Sequence, residues 1–489
     1  MRLAQRHGHR DLIVALLLGL AGCSGGDQGT VGGDTAEFRP ATILEAVLVG
    51  DRAAVEQFIA RSANVDETET DGTTLLMRAT HGGFPDIAAR LIAAGANVSA
   101  ANSYGVTALY LAARGTDSAT TQALLAAGAD ANTSLPGGET VLMTAAKTGD
   151  TEIVRALLAG GMDAAGARAQ SSGYSAAALA PGPTHRADPN AKENWYGQTA
   201  LMWAAAEGHA DVVALLIEAG ANVDAVDEKG ANALILATLN GHLGIAGLLL
   251  EAGAAPNIAD TYGRTVLFVA TDLNTTAANP RPAPPITGDF TPVDIVKLAL
   301  AKGANPDAPL GKELPNDFTL DGEHDPILNK GATAFLRAAM SGDLEIMQIL
   351  LDAGADPLAA TAEREAVTIG GIERLSHGKT TALMAAAGVG WRESVSRGRE
   401  ADAIKAIELL LDRGADINAA NQSGDTALHG ATLRGSTAII QYLVDHGANV
   451  RAKNRKGQTP LDIAMGVPED RIPYNEATAA LLRSLARKA

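Results

Sequence analysis

The fold is decided by residues 197–229, which read GQTALMWAAAEGHADVVALLIEAGANVDAVDEK. Thr199 precedes a run of small and apolar residues, and its hydroxyl can accept a hydrogen bond from a free backbone N–H group at a helix start. A second apolar run, residues 212–217, has the spacing of one helix face. Gly220 follows it, and glycine readily adopts the left-handed conformation that ends many helices. The stretch therefore predicts two short helices followed by a turn, residues 222–229.

The same pattern recurs along the chain with a period of 33 residues. Five of the nine intervals between repeat glycines are 33 residues, and the other four exceed 33 by 26, 35, 14 and 13 residues. An eleventh, degenerate unit at 40–71 precedes the series. The aligned glycines of the G-x-T-x-L motif are Gly72, Gly105, Gly138, Gly197, Gly230, Gly263, Gly331, Gly378, Gly424 and Gly457.

One such unit cannot be stable alone. Burial of an aliphatic side chain contributes roughly 1.5–3 kcal/mol, whereas ordering each residue costs roughly 1–2 kcal/mol. A 33-residue unit has too few apolar side chains to offset that cost. The units therefore have to stack, which is the logic of repeat arrays.

These features resemble the ankyrin repeat over nearly all of residues 40–489. Where that family has T-P-L-H, two units have T-A-L-M and most others have close variants of it, and the family's His and Pro are kept only at His429 and Pro460. The resemblance implies an all-α ankyrin-repeat solenoid of about eleven helix-turn-helix units. We expect residues 40–71 and 457–489 to cap an array over 72–456.

Four insertions interrupt the array, the second of them in two pieces. Insertions in repeat proteins map to surface loops and often to a binding face. That each loop is tolerated without having a function is an equal alternative. The predicted insertions lie near 165–194, 272–291, 308–330, 359–377 and 388–401.

The N-terminus has the features of a targeting segment. Residues 1–22 combine three arginines with a nine-residue apolar run, which is too short to span a bilayer. Leu20-Ala21-Gly22-Cys23 resembles a bacterial lipobox, which implies that Cys23 becomes the lipidated first residue. The Ser after it favours the outer membrane, and residues 23–39 are expected to form a flexible tether. An ordinary secretory signal with a chance Cys is the alternative.

Composition excludes several functions. The chain has 489 residues, a net charge of −17 and one Cys. It therefore lacks the basic excess of nucleic-acid binders, and one Cys cannot form an internal disulfide or a Cys-based zinc site. We expect no nucleic-acid partner, no attraction of the body to anionic headgroups, and membrane attachment only through lipid on Cys23.

Catalysis has little support in the sequence. The G-x-S-x-G, H-E-x-x-H and phosphate-loop motifs are absent, and we predict neither an enzyme nor a cofactor. His209 and His242 share one position of the repeat, which indicates a structural role. The acidic segment 317–325 could hold a hard cation but does not follow the calcium-loop spacing. A solvated loop, and no metal, is the prediction, and an enzyme centred on His324 and Asp325 is the least favoured hypothesis.

Aromatic residues are scarce, and several share one place in the repeat. Tyr104, Tyr196 and Tyr262 each immediately precede a repeat glycine, and Trp195 adjoins Tyr196. In the ankyrin family these turns project as fingers along a concave groove and contact partners, and Tyr and Trp are frequent interface anchors. Packing of each ring on the neighbouring finger is the alternative. Trp203 is expected in the core, and Trp391 is expected to be exposed.

These observations predict a non-catalytic, monomeric protein-protein interaction scaffold. It would be lipid-anchored in the bacterial cell envelope, at the outer membrane facing the periplasm, and would bind an unidentified protein partner through the groove and fingers. The alternative is an accessory or regulatory subunit of an envelope enzyme or defence system.

Overall fold

The computed structural model describes residues 40–160, 186–275, 285–312, 314, 327–363, 367–369, 372–374, 377–390, 398–467 and 472–488. The predicted signal peptide, Cys23, the tether, the acidic segment 317–325 and Trp391 lie outside these residues. The chain divides into two compact units, Met1–Ala41 and Thr42–Ala489. All helices and strands below belong to the second unit.

Eleven consecutive helix pairs make up the described part of this unit, as the repeat count predicted. The pairs are α1 Ile43–Leu48 and α2 Arg52–Ala60, α3 Leu75–His81 and α4 Pro85–Ala93, α5 Ala108–Arg114 and α6 Ser118–Ala126, α7 Val141–Thr148 and α8 Thr151–Ala159, α9 Ala200–Glu207 and α10 Ala210–Glu218, α11 Ala233–Leu239 and α12 Leu243–Glu251, α13 Val266–Thr275 and α14 Pro292–Ala301, α15 Ala334–Ser341 and α16 Leu344–Asp352, α17 Ala382–Ala387 and α18 Glu400–Asp412, α19 Ala427–Arg434 and α20 Thr437–Asp445, and α21 Pro460–Ala464 and α22 Glu476–Lys488.

Local signals define the helix ends as the sequence indicates. Thr199 caps α9, with its hydroxyl oxygen 3.4 Å from the Met202 nitrogen. Gly208 then ends α9 in the left-handed region at a φ of 89°. Gly220 follows α10 with a φ of 88°, a conformation that disfavours residues with a Cβ atom.

The core lies between successive pairs, where each first helix packs on the next first helix and each second helix on the next second helix. Ala204 and Ala205 of α9 are fully buried, since only small side chains let the helices approach closely. Val212, Val213 and Leu216 supply the buried face of α10. Leu215 and Ile217, which the run 212–217 placed on that face, are half-buried because a nine-residue helix turns them away from its neighbours.

Neighbouring units are also joined by backbone hydrogen bonds between the turns that precede the first helices. We call each such turn a finger, and its tip is the pair of residues just before the repeat glycine, for example Glu228 and Lys229. An N–H group of one finger donates to a carbonyl of the previous tip at 2.7–2.9 Å. The donor belongs to the tip itself in regular fingers, whereas Asn194, Gly311 and Ala362 donate from fingers that are longer or interrupted by an insertion. The pairs are Ser103 to Asp71, Asn194 to Gly137, Glu228 to Tyr196, Thr261 to Lys229, Gly311 to Tyr262, Ala362 to Lys330, Gln422 to Gly378, and Arg455 to Ser423. Pro136 occupies the donor position facing Tyr104 and has no N–H group to donate.

The structure shifts two boundaries assigned from sequence. Residues 186–194, which we placed in the first insertion, belong to the repeat turn that precedes α9. Ala187 is buried and donates its N–H to the Leu157 carbonyl at 3.0 Å, as Ala221 does to Leu216. In the ninth unit Lys379, rather than Gly378, occupies the glycine position, with a φ of 59°.

The third insertion contributes the β-structure of the described chain. Strands β1 Val367–Ile369 and β2 Ile372–Arg374 pair antiparallel, with Val367 opposite Arg374. None of the described helices combines the length and apolarity that a bilayer crossing requires.

Candidate functional site

The fingers and the first helices together form one surface, which we call the finger-side face. In each first helix, the side chain of the fifth residue of the T-x-L-x-x motif points to this face. Arg78 occupies this position on α3 and forms a close ion pair with Glu69 of its own finger. Thr144 occupies it on α7 and donates its hydroxyl to Glu139 at 2.9 Å. The burial of the residue at the fifth position therefore indicates how far the finger-side face is covered in each unit.

This position is partly open in the N-terminal half and closed in the C-terminal half. Arg78, Leu111, Trp203 and Leu236 are half-buried, whereas Thr144 of α7 is buried. From α13 onward every residue at this position is buried. These residues are Val269, Arg337, Ala385, Gly430 and Ile463.

The chain's own insertions close the C-terminal half. Leu310, Ile327 and Leu328, from the second insertion, are buried in an apolar cluster with side chains of the first helices of units seven to nine. Those partners are Phe268, Leu336, Met340, Met384 and Ala385, joined by Val389 from the fourth insertion. The two insertions also meet, since a Cβ atom at Gly390 would lie 2.7 Å from Ile327 Cγ2. Among the described residues, the part of the face left uncovered is therefore that of units two to six, with the seventh finger at its edge.

All four aromatic residues singled out in the sequence lie on fingers along this open stretch. Tyr104 is 67% exposed, Trp195 51% and Tyr196 38%, and Tyr262 is half-buried. They occupy the third, fifth and seventh fingers, with the fingers of Gly137 and Lys229 between them. The structure thus places them on alternate fingers of one face.

The alternative of packing on a neighbouring finger holds for Trp195 and Tyr196, and it leaves both rings partly exposed. The Trp195 ring lies on the neighbouring finger, so close that a Cβ atom at Gly137 would be 2.6 Å from Cζ2. Lys229 Nζ, on the next finger, lies 5.6 Å from the centroid of the Tyr196 ring. Trp195 and Tyr196 therefore each contact an adjacent finger and keep an exposed surface.

A buried carboxylate holds the Trp195–Tyr196 finger in shape. In regular fingers an Asp or Asn three residues before the glycine accepts backbone N–H groups, as Asp227 does from Lys229 and Ala231 at 2.9 Å. The fifth finger is one residue longer and has Glu193 four residues before Gly197. The extra methylene of Glu193 spans the added residue.

Glu193 is only 3% exposed, and its carboxylate accepts three backbone N–H groups. The donors are Trp195 at 2.6 Å, Tyr196 at 2.9 Å and Gln198 at 2.9 Å. Hydrogen bonds to a charged group contribute about 1.5–3 kcal/mol each. The orientation of both aromatic residues thus depends on one side chain that sequence reasoning missed. The sequence signal for this role is an acidic residue four residues before the repeat glycine, one residue earlier than the Asp or Asn of regular fingers.

Trp203, which was expected in the core, lies at the edge of the core. It packs against the core but is half-buried at the fifth position of α9, rather than enclosed. Lys147 Nζ, on α7, lies 5.2 Å from its ring centroid. Trp203 and Lys147 therefore belong to the floor of the open finger-side face.

The histidines have structural surroundings. His209 Nε2 lies 3.0 Å from the carbonyl oxygen of Lys147 at the end of α7. His242 packs on Gly208, where a Cβ atom would meet the ring at 2.6 Å, and burial lowers its pKa. Within the described residues, side chains of His, Cys, Asp and Glu form no group of three placed to hold a metal ion.

Comparison with known proteins agrees with this architecture. A model of ankyrin repeats in three copies matches residues 43–134, 115–227, 179–260 and 399–470, and a model of one ankyrin repeat matches 330–362. The crystal structure of the ankyrin repeat domain of Bcl-3, described as a unique member of the IkappaB protein family, is 26% identical. The match covers 46% of this chain and 92% of that one, with a TM-score of 0.37. Since the family models match more than half of the chain, it belongs to the ankyrin-repeat family.

Proposed function

We propose that this protein is a non-catalytic scaffold that binds a protein partner on the open finger-side face of units two to six and the seventh finger. One observation carries the proposal: exposed aromatic residues stand on alternate fingers along the stretch that the chain's own insertions leave open. Aromatic side chains supply large contact area at low entropic cost and are typical interface anchors. The Lys147–Trp203 pair supplies the floor of the same surface.

A pull-down of the partner from cell envelopes tests this site. Combined Tyr104→Ala, Tyr196→Ala and Tyr262→Ala should reduce recovery of the captured protein at least tenfold and leave thermal unfolding unchanged. Tyr474→Ala is the matched control, because Tyr474 is 52% exposed but lies in the last unit. Undiminished capture by the triple variant would reject the finger site.

The site can also be located directly by crosslinking. A photoreactive phenylalanine analogue in place of Tyr104 should capture the partner in intact cells, whereas the same analogue at Tyr474 should not. The identity of the captured protein also distinguishes between two roles for this chain. An envelope enzyme would make this chain its accessory or regulatory subunit, and a non-enzymatic protein would favour a scaffold.

The second part of the proposal concerns location. We infer that Cys23 carries the lipid that attaches a monomeric body to the outer membrane, on the periplasmic side. The lipobox-like residues 20–23 support this inference, and more than one acyl chain is needed for stable attachment. Cys23→Ala should move the protein from the membrane fraction to the soluble fraction. A variant that stays with the membrane would contradict it.

A further inference from the structure

Acidic charge is concentrated on the second helices of the array. From α10 to α20 these helices carry eleven acidic side chains and two basic ones. The acidic residues are Asp211, Glu218, Glu251, Asp294, Glu345, Asp352, Glu400, Asp402, Glu408, Asp412 and Asp445. The second helices of this stretch are therefore strongly negative.

At the described tips of the fingers of the same stretch, the exposed charged side chains are mostly basic. The basic ones are Lys229, Lys312, Lys330, Lys379, Arg455 and Lys456. Glu228 and Glu363 are the exposed acidic residues beside the tips of these fingers in the described chain, and Glu363 lies 3.3 Å from Lys379. In a chain with a net charge of −17, the described finger tips thus carry a row of mostly basic side chains.

This row is continuous with the aromatic fingers. Lys229 is both a basic tip and the cation beside Tyr196. On the seventh finger Arg264 lies 5.3 Å from the ring centroid of Tyr262 and is ion-paired with Asp260 at 2.7 Å, so Lys229 is the cation left for a ligand between these rings. Backbone hydrogen bonds between tips hold Tyr196, Lys229 and Tyr262 in consecutive order. Aromatic and cationic contacts are therefore available to a single ligand that lies across the tips.

We propose that the partner binds these finger tips through an extended acidic segment of its chain. The inference rests on the proposed function and adds the chemistry of the partner. Packed helices lie ~8–10 Å apart, and a segment in the extended polyproline II conformation rises ~3.1 Å per residue with three residues per turn, so that every third side chain lies on one side. A segment with Asp or Glu at every third residue would therefore place one carboxylate at each finger. Long-range attraction to the basic row would also speed association.

The probe is a fluorescent 18-residue peptide with Glu at every third position and Ser or Ala between, titrated into the full mature chain carrying Cys23→Ala. We expect saturable binding that weakens at least tenfold between 50 and 300 mM NaCl, because salt screens exposed charges. A peptide with Lys in place of Glu should not bind. Equal binding of both peptides would overturn the proposal.

Charge reversal on the protein is the second arm. Lys229→Glu combined with Lys330→Glu should weaken peptide binding at least tenfold. Lys405→Glu combined with Lys297→Glu makes the same charge change on second helices and should leave binding within twofold. If both pairs weaken binding alike, net charge rather than the finger row is responsible, and the proposal fails.

Anionic vesicles of phosphatidylglycerol and phosphatidylethanolamine form the third arm. Binding to these vesicles without binding to the acidic peptide would show that the row recognises a membrane surface, and would overturn the proposal. The aromatic triple variant separates the two proposals. If it loses the cellular partner while the lysine reversals do not, the finger site stands and the acidic partner is rejected.

Discussion

The indole of Trp195 lies directly on the α-carbon of Gly137, one finger away in the stack. A Cβ atom at Gly137 would sit 2.6 Å from Cζ2 of the ring, closer than van der Waals contact allows. The backbone of Gly137 is outside the left-handed region. Glycine is therefore needed here to leave space for the Trp195 ring and not for the backbone conformation. The sequence gives Gly137 no other visible reason to be glycine.

Gly137→Ala should therefore displace the Trp195 ring without straining the backbone. We expect a loss of about 1–3 kcal/mol of stability, the usual cost of overpacking, together with weaker partner capture. The free energy of unfolding, measured by urea titration, checks the first part. In a Trp195→Ala background the same substitution should cost almost nothing, and an undiminished cost there would contradict the contact.

The second prediction compares two glycines with the same backbone conformation. Gly208 and Gly220 have φ values of +89° and +88°, so alanine should cost about 1–2 kcal/mol at either for the left-handed conformation. At Gly208 the new Cβ would also meet His242 Cε1 at 2.6 Å, whereas nothing lies within 4 Å at Gly220.

Gly208→Ala should therefore lower the melting temperature clearly more than Gly220→Ala, by an added ~1–3 kcal/mol of overpacking. Differential scanning calorimetry of the two variants makes the comparison. Equal melting temperatures would mean that the His242 ring moves aside at no cost.

A stabilising substitution is available at Lys379, which holds a φ of 59° where most units have glycine. Lys379→Gly should raise stability by about 0.5–1 kcal/mol. Relief of the left-handed strain contributes ~1–2 kcal/mol, and the flexibility of glycine in the unfolded chain offsets about half of it. Lys379→Ala is the control, since it removes the exposed ion pair with Glu363 but keeps the strain. A gain with alanine as large as with glycine would refute this explanation.

His429 should make stability depend on pH. It is fully buried on α19, where Nδ1 lies 3.2 Å from the Thr426 backbone nitrogen and accepts its N–H, and Nε2 lies 3.2 Å from the Gln458 carbonyl. Burial lowers its pKa below the ordinary 6.5, and the Gln458 carbonyl and the Asp425 carboxylate oppose this only in part. The unfolded chain therefore takes up this proton at a higher pH than the folded chain.

The stability that neutral His429 contributes is complete above pH 6.5 and is lost as pH falls through its lowered folded pKa. His429→Met replaces it with the residue found at this motif position in several units. The melting temperature of the parent chain should fall more between pH 7.5 and 5.5 than that of the variant. His242 is present in both proteins, so its own lowered pKa cancels. Parallel pH profiles would exclude His429 as the cause.

Much of the fold could be predicted because the information is local and repeated. Thr199 and Gly220 mark helix ends through their own backbone and side-chain chemistry, and ten similar motifs make the period unmistakable. The finger aromatics could be predicted for the same reason, since their place beside the repeat glycine determines which turn they occupy. Lys379 could not be recognised from the sequence because the repeats were aligned on glycine. In this unit a lysine occupies the left-handed position, so Gly378 was aligned in its place.

The closure of the finger-side face could not be predicted in this way. Ile327 and Val389 lie in different insertions, and their packing with Phe268 and Met384 depends on where two irregular loops return to the array. Neither loop has a period from which its path can be read. Glu193 was missed for a related reason, because its role appears only once the longer fifth finger is seen to need a longer side chain.

The sequence by itself determined a stack of helix pairs whose apolar faces are too small to be stable singly, since the capping residues and the 33-residue period are local properties of the chain. Only the tertiary structure decided which half of the finger-side face stays open. That outcome depends on contacts between residues far apart in the chain, where apolar insertion residues bury themselves over α13 to α17 and leave Tyr104, Trp195 and Tyr196 exposed.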